Sequence, residues 1–449
     1  MQKAYLNWIG ACLLIATVGL ATYAMPVGAV PTAQDDDPQA QADALAQEGA
    51  TLYYQADYRG ALDRFQAALA RYQDIGNRAG EGSMLNNIGI VYEHLGQYEQ
   101  ALAYYQQALP ILREIGDRAT EAGTLNNIAI VYDDLGQYEQ ALAYYQQALA
   151  ISREIGDRAT EGAALNNIGA VYRNLAQYEQ ALAYYQQALA ISQEIGDRAT
   201  EGGTLNNIGV VYLRLGQYEQ ALDYHEQALA IKEEIGDRAG EGVALTNIGL
   251  VYDSLGRYEQ ALDYLQQALA IKEEVGDRAG EGMALTNIGI VYGELGQYEQ
   301  ALEYFQQTLA LFRDIGHPAG EGATLNNIGL VYDHLGRYEQ ALEYFQQALD
   351  IKREIGDRDG EGGTLTNIGN VYYDLGRYEQ ALDYYQQALA VQREIGNRDS
   401  EASALTGIGL VHGSLGRYEL AVDYYEQALA IEEEIGDRAA QGGGAPQHR

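Results

Sequence analysis

Six histidines, one cysteine and a large excess of carboxylates are the side chains here that could bind a metal, attack a substrate or move a proton. His94, His225, His317, His334, His412 and His448 fall at different places in the internal pattern of the sequence. The two that are equivalent, His94 and His334, stand six forty-residue units apart. Such spacing builds neither a metal centre nor a proton relay. Cys12 lies in an apolar leader, and no serine or cysteine has a base partner at a readable spacing, so neither catalysis nor a cofactor or bound metal is predicted. The run Gly116-Asp117-Arg118-Ala119-Thr120-Glu121 lacks the alternating Asp/Asn of a calcium loop and the Gly-Lys-Ser/Thr of a phosphate loop, which leaves helix capping as its role. The recurring tyrosines, among them Tyr92, Tyr98 and Tyr105, fall on helical seams and are predicted as core instead of a ligand-stacking surface.

The formal net charge of −36 and a pI near 4.3 exclude nucleic acid and anionic membrane surfaces as partners, since both repel such a chain at long range. Lys3 precedes an uncharged, largely apolar run from Ala4 to Val30, with small residues at Thr22-Tyr23-Ala24 and Val27-Gly28-Ala29. Residues 1–29 are therefore predicted as the signal peptide of an exported protein, periplasmic or extracellular, or as an uncleaved membrane anchor. Only the second case would make a membrane a partner. Residues 30–37 form a short linker ending in Asp37, an N-cap followed by Pro38 at the first helical position.

What positions all of these side chains is a period of forty residues. Units beginning at Gln41, Glu81, Glu121, Glu161, Glu201, Glu241, Glu281, Glu321, Glu361 and Glu401 run in phase without insertion or deletion. In the second unit Leu85, Ile88, Tyr92 and Leu95, and then Tyr98, Leu102, Tyr105, Leu109 and Leu112, recur at helical spacing. Each unit is therefore predicted as two amphipathic helices. Gly96 turns between the helices, Gly116 closes the second, and Asp117 caps the next with Glu121 in its first turn. Four units deviate: the first has Leu52 and Ala56 at the places of Tyr92 and Gly96, and the second has Pro110, predicted to kink its helix. The fourth has Ala176 for the turn glycine, and the tenth has Gly407 and His412.

Leu85-x-x-Ile88-Gly89-x-x-Tyr92, followed by Ala101-x-x-x-Tyr105 and Ala108, resembles the tetratricopeptide repeat. The forty-residue unit is similar to the longer repeats of Pins-type scaffolds, bacterial arrays and kinesin light chains, and the resemblance spans residues 41–440. It departs from the family where Arg113 and its counterparts replace the closing proline, which lets the second helix run to Ile115. The resemblance implies an all-α, right-handed superhelical solenoid of ten antiparallel helix pairs over residues 38–440, with a disordered tail over 441–449. First helices would line a concave groove and second helices the outside. It also implies a non-enzymatic scaffold that binds an extended peptide or protein segment in that groove. The alternative is a peptide-sensing receptor, or the regulatory half of a signalling enzyme whose effector domain is separate.

On the first helix, Asn87, Ile90, Glu93 and His94 lie away from the Leu85/Ile88/Tyr92 seam. Asparagine recurs as Asn87, Asn127, Asn167, Asn207, Asn247, Asn287, Asn327 and Asn367. In arrays that this one resembles, such amides hold the backbone of a bound peptide, each offering a donor and an acceptor; bonding between neighbouring helices is the other role open to them. Between near-identical units the Glu93-His94 pair becomes Asp133-Asp134, Arg173-Asn174, Leu213-Arg214, Asp253-Ser254, Gly293-Glu294, Asp333-His334 and Tyr373-Asp374. Asp134, Arg173, Arg214, Asp253, Asp333 and Asp374 are accordingly candidate partner-binding residues, and drift on an unconstrained surface is the competing account. The charges predict a protein or peptide partner with mainly basic segments and one acidic or polar stretch over Arg173 and Arg214. In the last unit Tyr418, Val422, Tyr425 and Leu429 are predicted to stand open, which suits end-to-end self-association or a further domain.

Overall fold

The computed structural model describes residues 37–442. The leader read over residues 1–29, the linker before Asp37 and the last seven residues lie outside the described residues. Twenty α-helices and no strand occur within them. Helices α1 (Pro38–Tyr54) to α10 (Tyr218–Ile235) form one compact unit, and α11 (Arg238–Ser254) to α20 (Tyr418–Gly442) another. Both units are all-α solenoids of the same construction. A first helix such as α3 (Arg78–His94) lies antiparallel against its second helix, α4 (Tyr98–Ile115), which packs in turn on the next first helix, α5 (Arg118–Asp134). The pattern continues through α6 (Tyr138–Ile155), α7 (Arg158–Asn174), α8 (Tyr178–Ile195) and α9 (Arg198–Arg214). Among the described residues no helix is long and apolar enough to cross a membrane.

Local chemistry sets the helix ends. Asp117 Oδ1 accepts from the Thr120 amide at 3.1 Å, and its other oxygen accepts from Thr120 Oγ1 at 2.7 Å. These bonds satisfy donors that the first turn of α5 leaves open. Asp37 likewise accepts from the Gln39 amide at 3.0 Å, with Pro38 at the first helical position. At the turn between the helices of a pair, Gly96 has φ 68° and the Gln97 amide donates back to the Tyr92 carbonyl at 2.9 Å. Ala56 and Ala176 adopt the same left-handed turn, with φ 60° and 55°. Pro110 does not end its helix, since α4 continues to Ile115 around this exposed position.

The pair is closed by a ring laid on a glycine. A Cβ on Gly89 would come within 2.4 Å of the Tyr105 ring, and Gly169, Gly249 and Gly329 stand in the same relation to Tyr185, Leu265 and Phe345. Tyr105, Tyr185, Phe305 and Phe345 are fully buried in consequence, and Tyr145 is buried as well, over Ala129. Beside this contact Tyr92 stacks on Tyr104 with ring centroids 5.3 Å apart, and the stack recurs from unit to unit as far as His412 and Tyr424. In the fifth unit the ring position is taken by His225. It is completely buried, with Nδ1 2.9 Å from Asn206 Oδ1 and no partner for Nε2.

Arginines tie the units along the edge where second helices end. Arg113 Nε reaches Glu121 Oε1 at 2.7 Å, Arg118 holds the other Glu121 oxygen, and Arg118 Nη2 reaches Glu154 at 2.8 Å. The Glu121 side chain is 2 % exposed, so the pairing is shielded and links one second helix to the next pair. The same link recurs as Arg153–Glu161–Arg158–Glu194 and as Arg353–Glu361–Arg358–Glu394. On α20, Tyr418, Val422, Tyr425 and Leu429 are exposed, as are Leu420 and the first-helix residue Leu410.

Two measurements check this account. Ala176→Gly relieves a left-handed alanine and should raise stability by about 1 kcal/mol, seen as a later urea midpoint; an unchanged or earlier midpoint would contradict the strain. Burial lowers the His225 pKa to about 3. Its contribution to stability is therefore complete above the unfolded value near 6.5 and is lost as pH falls from there towards the folded value. His225→Tyr restores the ring of the neighbouring units, and its thermal midpoint should fall less than that of the natural chain between pH 7 and pH 5.

Candidate functional site

Four of the eight recurrent asparagines, Asn127, Asn167, Asn207 and Asn367, bond across to the preceding first helix. Asn127 and Asn167 are fully buried, Asn87, Asn207, Asn247, Asn287 and Asn327 nearly so, and Asn367 is half-buried. Asn127 Nδ2 donates to Asn86 Oδ1 at 3.4 Å, Asn167 to Asn126 at 3.3 Å, Asn207 to Asn166 at 3.2 Å and Asn367 to Asn326 at 3.1 Å. Thr124 and Thr204 donate to the same acceptors, Asn86 and Asn166. In these four asparagines the amide group is thus engaged by the preceding unit, whereas Nδ2 of Asn327 is buried without a hydrogen-bond partner. Oδ1 of Asn127, Asn167 and Asn207 has no hydrogen-bond partner. Sequence reasoning passed over the acceptor asparagines, although their replacement by Thr246, Thr286, Thr366 and Thr406 was a visible signal. Thr246 and Thr286 turn back to their own helix, donating to the Gly242 and Gly282 carbonyls.

Beyond the asparagines, Ile90, Ile130 and Val210 are 1 % exposed and belong to the packed interior, whereas Leu410 is 43 % exposed. The paired variable positions form a second row at the C-terminal ends of the first helices. The residue at the Glu93 position of one unit faces the residue at the His94 position of the next. Tyr53 Oη hydrogen-bonds His94 Nε2, and Tyr373 Oη lies 2.9 Å from Ser414 Oγ. The first tyrosine of each second helix supports this row: Tyr58 stacks on His94 and Tyr298 on His334, with centroids 5.3 and 5.9 Å apart. Tyr98 holds Asp134 by a hydrogen bond.

Three of these pairings bring like charges together. Burial, with Asp134 adding repulsion, pushes the Glu93 carboxyl up to about 7, although the Tyr105 hydroxyl donates to it at 2.8 Å. Burial and then Glu294 raise Asp253 to about 6, and burial and then Asp374 do the same for Asp333. Asp133 reaches about 6 through burial and Asp134, with Arg173 and Asn174 opposing. No lysine or arginine pairs with Glu93, Asp134, Asp253, Glu294, Asp333 or Asp374 among the described residues. Oδ1 of Asp133, Asp253 and Asp333 is buried without a hydrogen-bond partner. Arg173 is 9 % exposed, donates from Nη2 to Asn174 at 3.2 Å and leaves Nη1 unbonded, while Arg214 is exposed. The structure therefore gathers Asp134, Arg173, Asp253, Asp333 and Asp374 into one type of position and sets the asparagines deeper. No cluster of three or more potential metal ligands occurs among the described residues.

This row has a measurable signature. A carboxyl raised by folding destabilises the folded state when ionised, and the penalty disappears as pH falls through the folded value towards the unfolded one near 4.5. Glu93→Gln keeps an acceptor for Tyr105 and removes the charge. At pH 8 it should be more stable than the natural chain by about 2 kcal/mol, with the difference closing by pH 4.5. A constant difference across that range would contradict the assignment.

Comparison with known proteins fits this architecture. The description "Tetratricopeptide repeat" matches residues 39–114, 117–194, 200–274, 275–354 and 361–434. Aspartyl phosphate phosphatase F from Bacillus subtilis is similar in fold at 17 % identity and TM-score 0.54, over 82 % of this chain and 96 % of that one. A STAND protein with a tetratricopeptide repeat sensor from Pyrococcus horikoshii gives 17 % and 0.55, over 77 % of this chain and 54 % of that one. A Rap protein complexed with Competence and Sporulation Factor gives 17 % and 0.52, over 80 % and 99 %. Comparison with curated protein sequences gave no match. With matched segments running through most of its length and helix pairs closed by a ring on a glycine, the chain belongs to the tetratricopeptide repeat family.

Proposed function

We propose that this protein is a non-enzymatic interaction scaffold whose inner row, at the C-terminal ends of the first helices, takes an extended peptide segment rich in basic side chains. The observation that carries the reading is the allocation of charge. The edge carboxylates Glu121, Glu161, Glu361 and Glu401 each hold two arginines, whereas the inner pairs Glu93/Asp134, Asp253/Glu294 and Asp333/Asp374 hold none. Like charges kept side by side, one half-buried and its neighbour exposed, raise the free energy of the unliganded array. A cationic side chain placed between them relieves that repulsion and gains charge-assisted hydrogen bonds. The tyrosines beneath the row add a face on which a cation can rest. The apolar segment Ala4–Val30 supports placing the scaffold outside the cytoplasm or on a membrane.

Calorimetry with an acetylated octapeptide of alternating lysine and glycine tests the reading. The double variant Asp253→Asn/Asp333→Asn should bind about tenfold more weakly than the natural chain. Glu259→Gln/Asp263→Asn changes the net charge equally on an exposed second helix and should cost less than twofold. Equal losses would show that the peptide responds only to the overall negative charge, and the inner row would lose its role.

A further inference from the structure

We infer that the junction of the second, third and fourth repeats contains a subsite for a primary ammonium group, the end of a lysine side chain, built from Asp133, Asp134, Glu93 and the Tyr145 hydroxyl. The inference rests on the inner-row reading and identifies one position within it.

In the second repeat, Glu93 on α3 and Tyr105 on α4 satisfy each other through a 2.8 Å hydrogen bond. The third repeat places Asp133 on α5 and Tyr145 on α6 at the equivalent positions. Aspartate is one methylene shorter, and the bond is not made: Asp133 Oδ1 and Tyr145 Oη are both buried without a partner. The ring is also seated differently. Ala129 stands where the second repeat has Gly89, and its methyl occupies space of the kind that the Tyr105 ring fills above that glycine. Tyr145 is fully buried, so an unbonded hydroxyl there forfeits hydration as well as a protein partner. Burial, and then the charges of Asp133, Asp134 and Glu93 in that order, hold the Tyr145 hydroxyl well above its ordinary pKa. Exposed Asp134 and half-buried Asp133 mark the side open to a ligand.

The chemistry of the open acceptors selects the ligand. Asp133 and Tyr145 offer unused lone pairs on two helices, and the Glu93 and Asp134 carboxylates lie alongside on α3 and α5. An ammonium has three N–H donors that fan out from one atom and can reach acceptors on separate helices. A guanidinium presents a planar fork matched to the two oxygens of a single carboxylate, and this site does not present that arrangement first. Arg173 acts on Asp133 but forms no ion pair with it and donates to Asn174, so it bounds the site on one side without neutralising it. Beside the equivalent aspartates Asp253 and Asp333 the hydroxyl is missing, since Leu265 and Phe345 stand at the Tyr145 position, and the one other unpartnered hydroxyl of this type among the described residues, on Tyr185, has Arg173 at the acidic position. The third repeat is thus distinguished by an unbonded hydroxyl together with an aspartate.

Tyr145→Phe removes that oxygen and nothing else, and fully buried Phe305 and Phe345 show that a repeat of this type accepts phenylalanine there. Calorimetry on the full chain would compare the lysine–glycine octapeptide with its arginine–glycine counterpart. Tyr145→Phe should weaken the lysine peptide at least fivefold and the arginine peptide less than twofold, and Asp133→Asn should weaken the lysine peptide by a similar factor. Unchanged lysine binding, or equal losses for both peptides, would overturn the subsite. If Asp253→Asn/Asp333→Asn weakens binding while Tyr145→Phe does not, the inner-row reading stands and this inference alone fails. If none of these variants changes binding, both fail.

Discussion

Everything in this array depends on how closely two helices of one repeat can approach. The approach is set by an aromatic or leucine side chain lying on a helix that has no side chain beneath it. At Gly89 a single added carbon would sit 2.4 Å from the Tyr105 ring, far inside van der Waals contact. With the ring seated, the neighbouring tyrosines fall into stacking distance and the turn at Gly96 can be as short as it is. Each pair then presents the same two surfaces to its neighbours. A unit of forty residues cannot bury its apolar face alone, and stacking one copy on the next supplies the missing half of every core.

Once the packing repeats, polar chemistry is free to differ between the two edges. Where the second helices end, arginine and glutamate alternate from unit to unit, and the glutamates are buried by the arginines that hold them. The chain has 28 basic residues against 64 acidic ones, and the edge pairings engage a large part of the basic set. The row at the ends of the first helices then receives carboxylates without counter-charges. Those carboxylates also stand at the negative ends of helix dipoles, where anions are least welcome. The unfavourable placement is local and recurs at corresponding positions, which separates it from a diffuse excess of surface charge.

Much of the fold was legible in the sequence because its physical causes are local. The helices follow from the spacing of Leu85, Ile88, Tyr92 and Leu95, the turns from Gly96 and Gly116, and the starts from Asp117 and its counterparts; Ala176 was recognisable as a strained turn from its position alone. The site was legible only in part. Asn87 and its equivalents stood out by recurrence, but an amide that bonds a neighbouring helix and one that bonds a ligand have the same side chain. Only the geometry of Asn127 against Asn86 shows where its hydrogens go. The edge links escaped notice because Arg118 and Glu154 are far apart in sequence and meet only after the pairs have stacked. Asp134 stood out as a candidate by its variation between units, but nothing in the sequence shows that the Glu93 carboxylate lies beside it and Asp133.

Two positions twelve residues apart, one on the first helix and one on the second, decide whether an inner carboxylate is satisfied within the protein. Glu93 with Tyr105 is satisfied, because the longer acid reaches the hydroxyl. Asp133 with Tyr145 has a hydroxyl it does not reach, and Asp253 with Leu265 or Asp333 with Phe345 has none to reach. In the ninth repeat the hydroxyl of Tyr385 is taken by Asn370 at 2.6 Å, while Tyr373 occupies the acidic position. One methylene or one oxygen therefore changes the polar state of a repeat while the side chain stays buried, since tyrosine, phenylalanine and leucine all fill this position, over glycine in most repeats and over Ala129 in the third. A scaffold made of near-copies can diversify its binding positions by such exchanges, because the contact that holds each pair together is indifferent to them.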